Sequence, residues 1–377
     1  MATELRKVLV TGGSGFLGSE ICRQLANRGT LTNSVSRRPN RELEDLGVRQ
    51  YQADIAATSD LAVLALAAAG CDAVIHSAAL VGFSGSPRPY WRTNVLGTLN
   101  VVAACRLHRI PVLVHTSAAR VVSRPRGLEN ADETVPYPRH HPAVYPRTKA
   151  KAEQIVLAAN SPSLATLSLR PHAIWGPDDP HLLPSLLRAV RGHRLRMPGD
   201  GSALVDGTHV RTAAYAHLLA VDRLHERQTV GGRAYFIAQG EPYPVGTLAL
   251  LLLDSAGVSA RWASLPGPLF RSAAAARGAA ARVARSVGSH TPSRLSVPDL
   301  TRPHWFDLTA ARANLGFIPP LTMAEGLAEL TPDGRLSAAA ELLLGTRLRR
   351  PRSENVTKVL PEDLGGDRPG EPGPSRC

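Results

Sequence analysis

Tyr145-Pro-Arg-Thr-Lys149 sets a phenol and an ammonium four residues apart. On a helix that spacing brings both to one face, one turn apart. Pro146 suits the first turn of such a helix, where its missing N–H costs nothing. A tyrosine with its ordinary pKa of about 10 exchanges protons poorly at neutral pH. A neighbouring ammonium stabilises the phenolate and moves that pKa towards the working range. Tyr145 and Lys149 are therefore candidate catalytic residues for general acid–base chemistry, although the pattern alone is common.

A second cluster gives the pair its meaning. Thr11, Gly12, Gly13, Ser14, Gly15, Phe16, Leu17 and Gly18 follow the apolar run Val8-Leu9-Val10 and open a helical pattern. This is the strand, glycine turn and helix that a dinucleotide pyrophosphate requires. Gly12 permits the tight turn, Gly15 lets phosphate approach the backbone, and Gly18 lets helix pack on strand. The helix start then offers unpaired N–H groups and the positive end of its dipole. About twenty residues on, a carboxylate would select NAD, but the chain reads Ser34-Val35-Ser36-Arg37-Arg38. Ser36 and Arg37 can hold a 2′-phosphate through a hydroxyl and a guanidinium, so NADPH is the expected cofactor. The plain alternative is a surface arginine pair.

Strands and helices must alternate to position these groups. Strand patterns fall at 7–10, 31–36, 73–77, 112–116 and 164–169, and helical patterns at 16–27, 61–69, 94–108 and 145–159. The expected fold class is therefore α/β, a Rossmann-type doubly wound parallel sheet with a smaller C-terminal substrate lobe. Residues 1–176 form the expected dinucleotide-binding domain, its sheet completed by a strand near 233–238. Pro177, Pro180, Pro184 and Pro198 then break the rhythm, and 177–349 is expected to be mainly substrate lobe. An Ala-rich helix is expected over 269–287, and the Pro-, Gly- and charge-rich 350–377 reads as a disordered tail.

At 377 residues, with 44% hydrophobic and 20% charged residues, the chain has the composition of a globular protein. Lys and Arg exceed Asp and Glu by 44 to 31, a net charge of +13 that raises nucleic acid as a partner. The excess falls in clusters such as Arg271 to Arg285, without zinc-finger spacing or an aromatic RNA-binding signature, so a solvated basic face is expected instead. Cys22, Cys71, Cys105 and Cys377 lack CxxC spacing and suit free thiols in a reducing compartment. The start of the chain has no signal-peptide pattern and no apolar run reaches a membrane span, so a cytoplasmic protein is expected. His140-His141 lacks companion ligands, and no metal is expected.

The motifs in order resemble the extended short-chain dehydrogenase/reductases, in their 3β-hydroxysteroid dehydrogenase branch, from about Lys7 to Leu330. The resemblance is carried by the glycine fingerprint, Asp54-Ile55, His76-Ser-Ala-Ala79, Asn94-Val-Leu-Gly97 and the Tyr145/Lys149 pair. Pro136-Tyr-Pro138, Tyr145 to Glu153, Val156 to Asn160 and Arg170 to Pro177 are similar to bacterial 2-alkyl-3-oxoalkanoate reductases of olefin and β-lactone biosynthesis, and His304 to Asp307 and Ala311 to Pro319 resemble the branch's C-terminal pattern. The resemblance implies that Asp54 and Ile55 contact the adenine, Ala78 and Ala79 line the cofactor path, and Pro171 to Ile174 flank the nicotinamide. It implies that Tyr145 donates a proton and Lys149 binds the ribose. Asp54 capping a turn, the alanines as core and Asn94 as an N-cap are the plain alternatives.

Two positions depart from the family. The catalytic hydroxyl usually follows Thr-Ser, but here Thr116-Ser117 is followed by Ala118. Ser117, the candidate carried forward, or Ser123 substitutes for it, or the pair acts alone, or activity is lost. Arg211-Thr212 replaces a usual Asp-Asn pair. The implied function is NADPH-dependent reduction of a long-chain 2-alkyl-3-oxoalkanoic acid to the 3-hydroxy acid. The alternatives are a hydroxysteroid or sterol dehydrogenase, a sugar-nucleotide epimerase, or a catalytically degenerate NADP-binding regulator. The expected partners are a long-chain acyl substrate and a second copy of the chain or a pathway enzyme.

Overall fold

The computed structural model describes residues 5–82, 86–141, 143–226, 228–266 and 301–348. The expected 269–287 helix and the 350–377 tail lie outside them. Seven parallel strands form the central sheet: β1 (Lys7–Thr11), β2 (Leu31–Ser36), β3 (Arg49–Gln52), β4 (Ala73–His76), β5 (Val112–Thr116), β6 (Ala165–Pro171) and β7 (Arg233–Ile237). Their spatial order is β7-β6-β5-β4-β1-β2-β3. The order reverses between β1 and β4, which leaves a crevice beyond their carboxyl ends, where such sheets bind ligands. Thr11 and His76 stand side by side in register at that point.

Strand alternation divides the core into two layers. Val8, Val10, Val112 and Val114 join one apolar cluster with Ile21 and Leu25 of the Phe16–Asn27 helix and Leu224 of the Val210–Glu226 helix. Leu9, Val74 and Leu113 point the other way, into a cluster with Leu64, Val101, Val102 and Val156 from the helices on that face. Because both faces are covered, these strands read as continuous apolar runs rather than alternating ones.

The Val210–Glu226 helix packs on the sheet although it follows the first proline-rich stretch. Arg28 at the end of the first helix grips Asp222 through two contacts of 2.9 Å. The chain comes back again after residue 301. Phe306 stacks on Phe236 of β7 with ring centroids 4.3 Å apart, and Leu315 and Phe317 enter the same core. Trp175, Leu186, Leu195, Met197, Leu252, Met323 and Leu327 build a separate, smaller core. A two-residue turn with positive φ at Gly192 and His193 closes a hairpin on its surface, the backbone that matches strand twist.

Cys22, Cys71 and Cys105 are buried and free. Burial pushes their thiols up to about 12, 11 and 12, so they behave as small apolar residues rather than nucleophiles. Among the described residues no helix is long and apolar enough to cross a membrane. Leu224 is fully buried between the Val210–Glu226 helix and the sheet. Leu224→Ala should lower unfolding free energy by about 2–5 kcal/mol in a urea titration, the cost of transfer plus cavity.

Candidate active site

The glycine turn is built for close approach. Gly12 has φ +76°, and a Cβ there would stand 2.8 Å from the Ala78 backbone. A Cβ at Gly13 would strike the Ser34 hydroxyl, and one at Gly18 the Gly12 carbonyl oxygen. Gly15 is the N-cap of the Phe16–Asn27 helix and no side chain caps it. The first N–H groups of the helix are thus left without a side-chain cap. A bare glycine surface over uncapped N–H groups fits a pyrophosphate. Leu17 is buried in the sheet core, while Ser14 and Phe16 line a groove of about 830 Å³ beside the helix. Pro177, Asp178 and Arg211 also line it, and neither Tyr145 nor Lys149 does.

At the end of β2, the Ser36 hydroxyl accepts the Ser14 N–H at 3.0 Å. It keeps its own hydrogen free to donate. Arg37 is exposed, and its carbonyl accepts from Gln52. Asp54 is more committed than the motif suggests. Its Oδ1 accepts the Ala56 N–H at 3.0 Å and its Oδ2 pairs with Arg92 at 3.0 Å. Ile55 is buried and fills the space a Cβ on Gly97 would need. Ala78 lies against Gly12, with Ala79 next along the same partly exposed path.

Tyr145 and Lys149 both sit on the Val144–Ala158 helix, and both are buried. Tyr145 packs with Tyr90 and Ala118. Ala118 lies in extended backbone just past β5. Ser117 donates its N–H to the Leu169 carbonyl at 2.6 Å. Its hydroxyl is buried without a hydrogen-bond partner among the described residues. Ser123 ends the short Ala119–Val122 helix.

Lys149 Nζ donates to Thr116 O at 2.6 Å and to His115 Nε2 at 2.9 Å. Burial pulls its pKa down to about 7, with Glu153 one turn on opposing the fall. Glu153 is itself fully buried. It accepts from Arg170 at 2.7 Å and from Tyr137 at 2.5 Å, which ties the helix to β6. Pro171 ends β6, and the chain turns through Ala173 at φ +42° to the partly buried Ile174. His172 is held there by the Asp206 carbonyl at 2.9 Å.

Three features exceed what the sequence offered. Asn94 is not an N-cap: it lies inside the π-helical turn Trp91–Leu96. There it grips both backbone groups of Leu80 and donates to Thr148 on the Tyr145 helix at 3.0 Å. His115 and His76 are buried with their rings stacked 5.5 Å apart, His115 against Lys149; His76 opens the His76-Ser-Ala-Ala79 motif, whereas only a histidine within an apolar strand hinted at His115. Arg211, at the family's Asp position, pairs with Glu329. No cluster of three potential metal ligands exists among the described residues.

A parallel switch-point crevice, a glycine cradle and a buried Tyr/Lys pair define an NAD(P)-dependent oxidoreductase of Rossmann type. The family model for the 3-beta hydroxysteroid dehydrogenase/isomerase family matches residues 9–266, and the chain belongs to that family. It is 42% identical over 331 residues to a 2-alkyl-3-oxoalkanoate reductase of Stenotrophomonas maltophilia, covering 86% of this chain and 98% of that one. A human decarboxylating sterol-4-alpha-carboxylate 3-dehydrogenase is 33% identical, covering 66% of each. Among solved structures, a Thermus thermophilus UDP-glucose 4-epimerase in complex with NAD superposes with a TM-score of 0.64 at 25% identity, covering 87% and 98%.

Two outcomes follow from this geometry. Gly12→Ala strains a positive φ and presses on Ala78, so the affinity for a nicotinamide dinucleotide, read by calorimetry, should fall at least about tenfold. Lys149→Met removes a buried ammonium that titrates near 7 when folded and near 10.5 when unfolded. Between these values the unfolded chain binds the extra proton, so the wild type gains stability as pH rises. Denaturant titrations should therefore show the wild type gaining on the methionine variant from pH 7 to 10, and a constant difference below pH 7.

Proposed function

We propose that this protein reduces the ketone of a long-chain 2-alkyl-3-oxoalkanoic acid to the 3-hydroxy acid, with NADPH as reductant. The observation that carries the reading is the 42% identity along 98% of a reductase of that name, together with the buried Tyr145/Lys149 pair. The residues present fit a nicotinamide dinucleotide. Gly12 to Gly18 would hold its pyrophosphate, Lys149 its ribose, and Pro171 to Ile174 its nicotinamide side. When bound, the dinucleotide supplies the hydride.

The chain's own part is proton transfer and placement. The Tyr145 phenol gives its proton to the ketone oxygen as hydride reaches the carbonyl carbon, so that C=O becomes CH–OH. The Lys149 ammonium favours the phenolate left behind. The close packing of Ala118 on Tyr145 leaves the usual hydroxyl position apolar. We assign the missing oxyanion donor to Ser117, whose buried hydroxyl has no other hydrogen-bond partner among the described residues.

Ser36 and Arg37 support NADPH over NADH, since no carboxylate ends β2 and the Ser36 O–H is free to donate. The free, buried cysteines support a reducing, cytoplasmic setting. The sterol dehydrogenase relative keeps a sterol substrate as the second reading.

The deciding experiment offers NADPH with 2-alkyl-3-oxoalkanoic acids, 3-oxosterols and UDP-sugars in turn. Oxidation only with the first class is expected, and a preference for sterols would replace the reading. Tyr145→Phe should cut turnover at least about a hundredfold while leaving NADP⁺ affinity nearly unchanged. Arg37→Glu should erase the NADPH preference, a loss of about one to two decades in affinity. Ala118→Ser should preserve or raise turnover. If it alone creates activity, the native chain is a degenerate NADP-binding protein.

A further inference from the structure

We propose that His115 is a positioning residue for Lys149: its ring nitrogen and the Thr116 carbonyl form a two-point socket that fixes the buried ammonium. The inference rests on reading Lys149 as the ribose and phenolate partner. It adds a residue that the Tyr/Lys pattern does not contain.

A lysine ammonium has three N–H donors. Two are spent at the end of β5, on His115 Nε2 at 2.9 Å and Thr116 O at 2.6 Å. One remains for Tyr145 and the dinucleotide, so the socket sets where that last donor sits.

The socket is braced on both sides of the sheet. His115 accepts at Nε2, so its proton lies on Nδ1 and is donated to Ser168 Oγ at 3.1 Å. That bond fixes the tautomer that Lys149 needs. His76 stacks on the ring and is itself clamped. Thr98 spends its hydroxyl hydrogen on Asn94 O, so it accepts from His76 Nε2 at 2.9 Å. Thr11, the first residue of the glycine fingerprint, then donates to His76 Nδ1 at 2.7 Å. On the other face, His217 donates from Nδ1 to Ala213 O and accepts the Thr116 hydroxyl at 2.7 Å. A continuous set of contacts thus runs from the fingerprint strand through two histidines to the lysine.

The charged and titratable groups around Lys149 show why an acceptor matters. Glu153, on the same helix, favours the ammonium but is shared with Arg170 and Tyr137. Burial holds His76, His115 and His217 well below the usual histidine range. They therefore stay neutral, and His115 stays an acceptor, across the working pH. Without that acceptor a buried ammonium keeps one fixed partner, and losing its proton becomes the cheaper state.

The test follows NADP⁺ affinity by calorimetry from pH 5.5 to 9.5, with thermal melting as a check of folding. The wild type should lose affinity as Lys149 deprotonates. His115→Leu should move that midpoint down by at least about one pH unit and weaken binding at pH 7 at least about tenfold. His115→Gln, whose Oε1 reaches the place of Nε2, should return both to within about threefold of wild type. A folded leucine variant with the wild-type curve, or a glutamine variant no better than leucine, overturns the proposal. If the leucine variant does not fold, the glutamine variant decides, and a midpoint lowered by a unit there overturns it. Lys149→Met separates the two layers. Wild-type binding at every pH in that variant would sink the reading of Lys149 itself. Loss of the pH dependence there, beside an unchanged His115→Leu curve, would sink only the role of His115.

Discussion

A positive charge held out of water is the constraint on which this site depends. Lys149 is 2% exposed, and a bare ammonium in such a place is too costly to keep. The fold answers with acceptors from the end of β5 and with a carboxylate one helical turn away. Glu153 in turn needs Arg170, and Arg170 lies on β6 immediately before Pro171. The ion pair thereby connects the helix that carries Tyr145 to the segment expected beside the nicotinamide. One buried charge explains why strand, helix and crossover must meet at a fixed distance.

The glycine turn imposes a second, steric constraint. Gly12, Gly13 and Gly18 each touch something a methyl group would displace: the Ala78 backbone, the Ser34 hydroxyl and the Gly12 carbonyl. These contacts set how closely β1, β2, β4 and the first helix pack. The same packing leaves the helix start uncovered at the switch point. The residues that set this packing are therefore the same ones proposed to hold the dinucleotide, while Trp175 and Leu252 belong to a separate, smaller core.

Much of this was legible in the residues. Val8-Leu9-Val10 followed by the glycine run marked β1 and its turn, and the four-residue step from Tyr145 to Lys149 marked one helix face. Periodicity could not show that Val210–Glu226 belongs to the large sheet, because a helix pattern carries no address. It could not show that Ala118 and Tyr145 share one apolar cluster, or that both Asp54 oxygens are already committed to Ala56 and Arg92. Those facts depend on which loop folds over which strand. The contacts of His115 and Asn94 were hidden for a different reason: a polar side chain has meaning only once its partner, 34 or 54 residues away, is in place.

The proposed reduction joins a proton donor at Tyr145 to hydride delivered at the carbonyl carbon. Isotope transfer tests the hydride delivery, on which the proposed reaction class rests, most directly. The wild-type protein would be given NADPH carrying deuterium at the transferable C4 position, together with a 2-alkyl-3-oxoalkanoic acid, and the product examined by mass spectrometry and NMR. The predicted result is a 3-hydroxy acid with one deuterium on C3 and NADP⁺ formed in equal amount. Product without deuterium at C3, or bound NADPH that is never consumed, would contradict it.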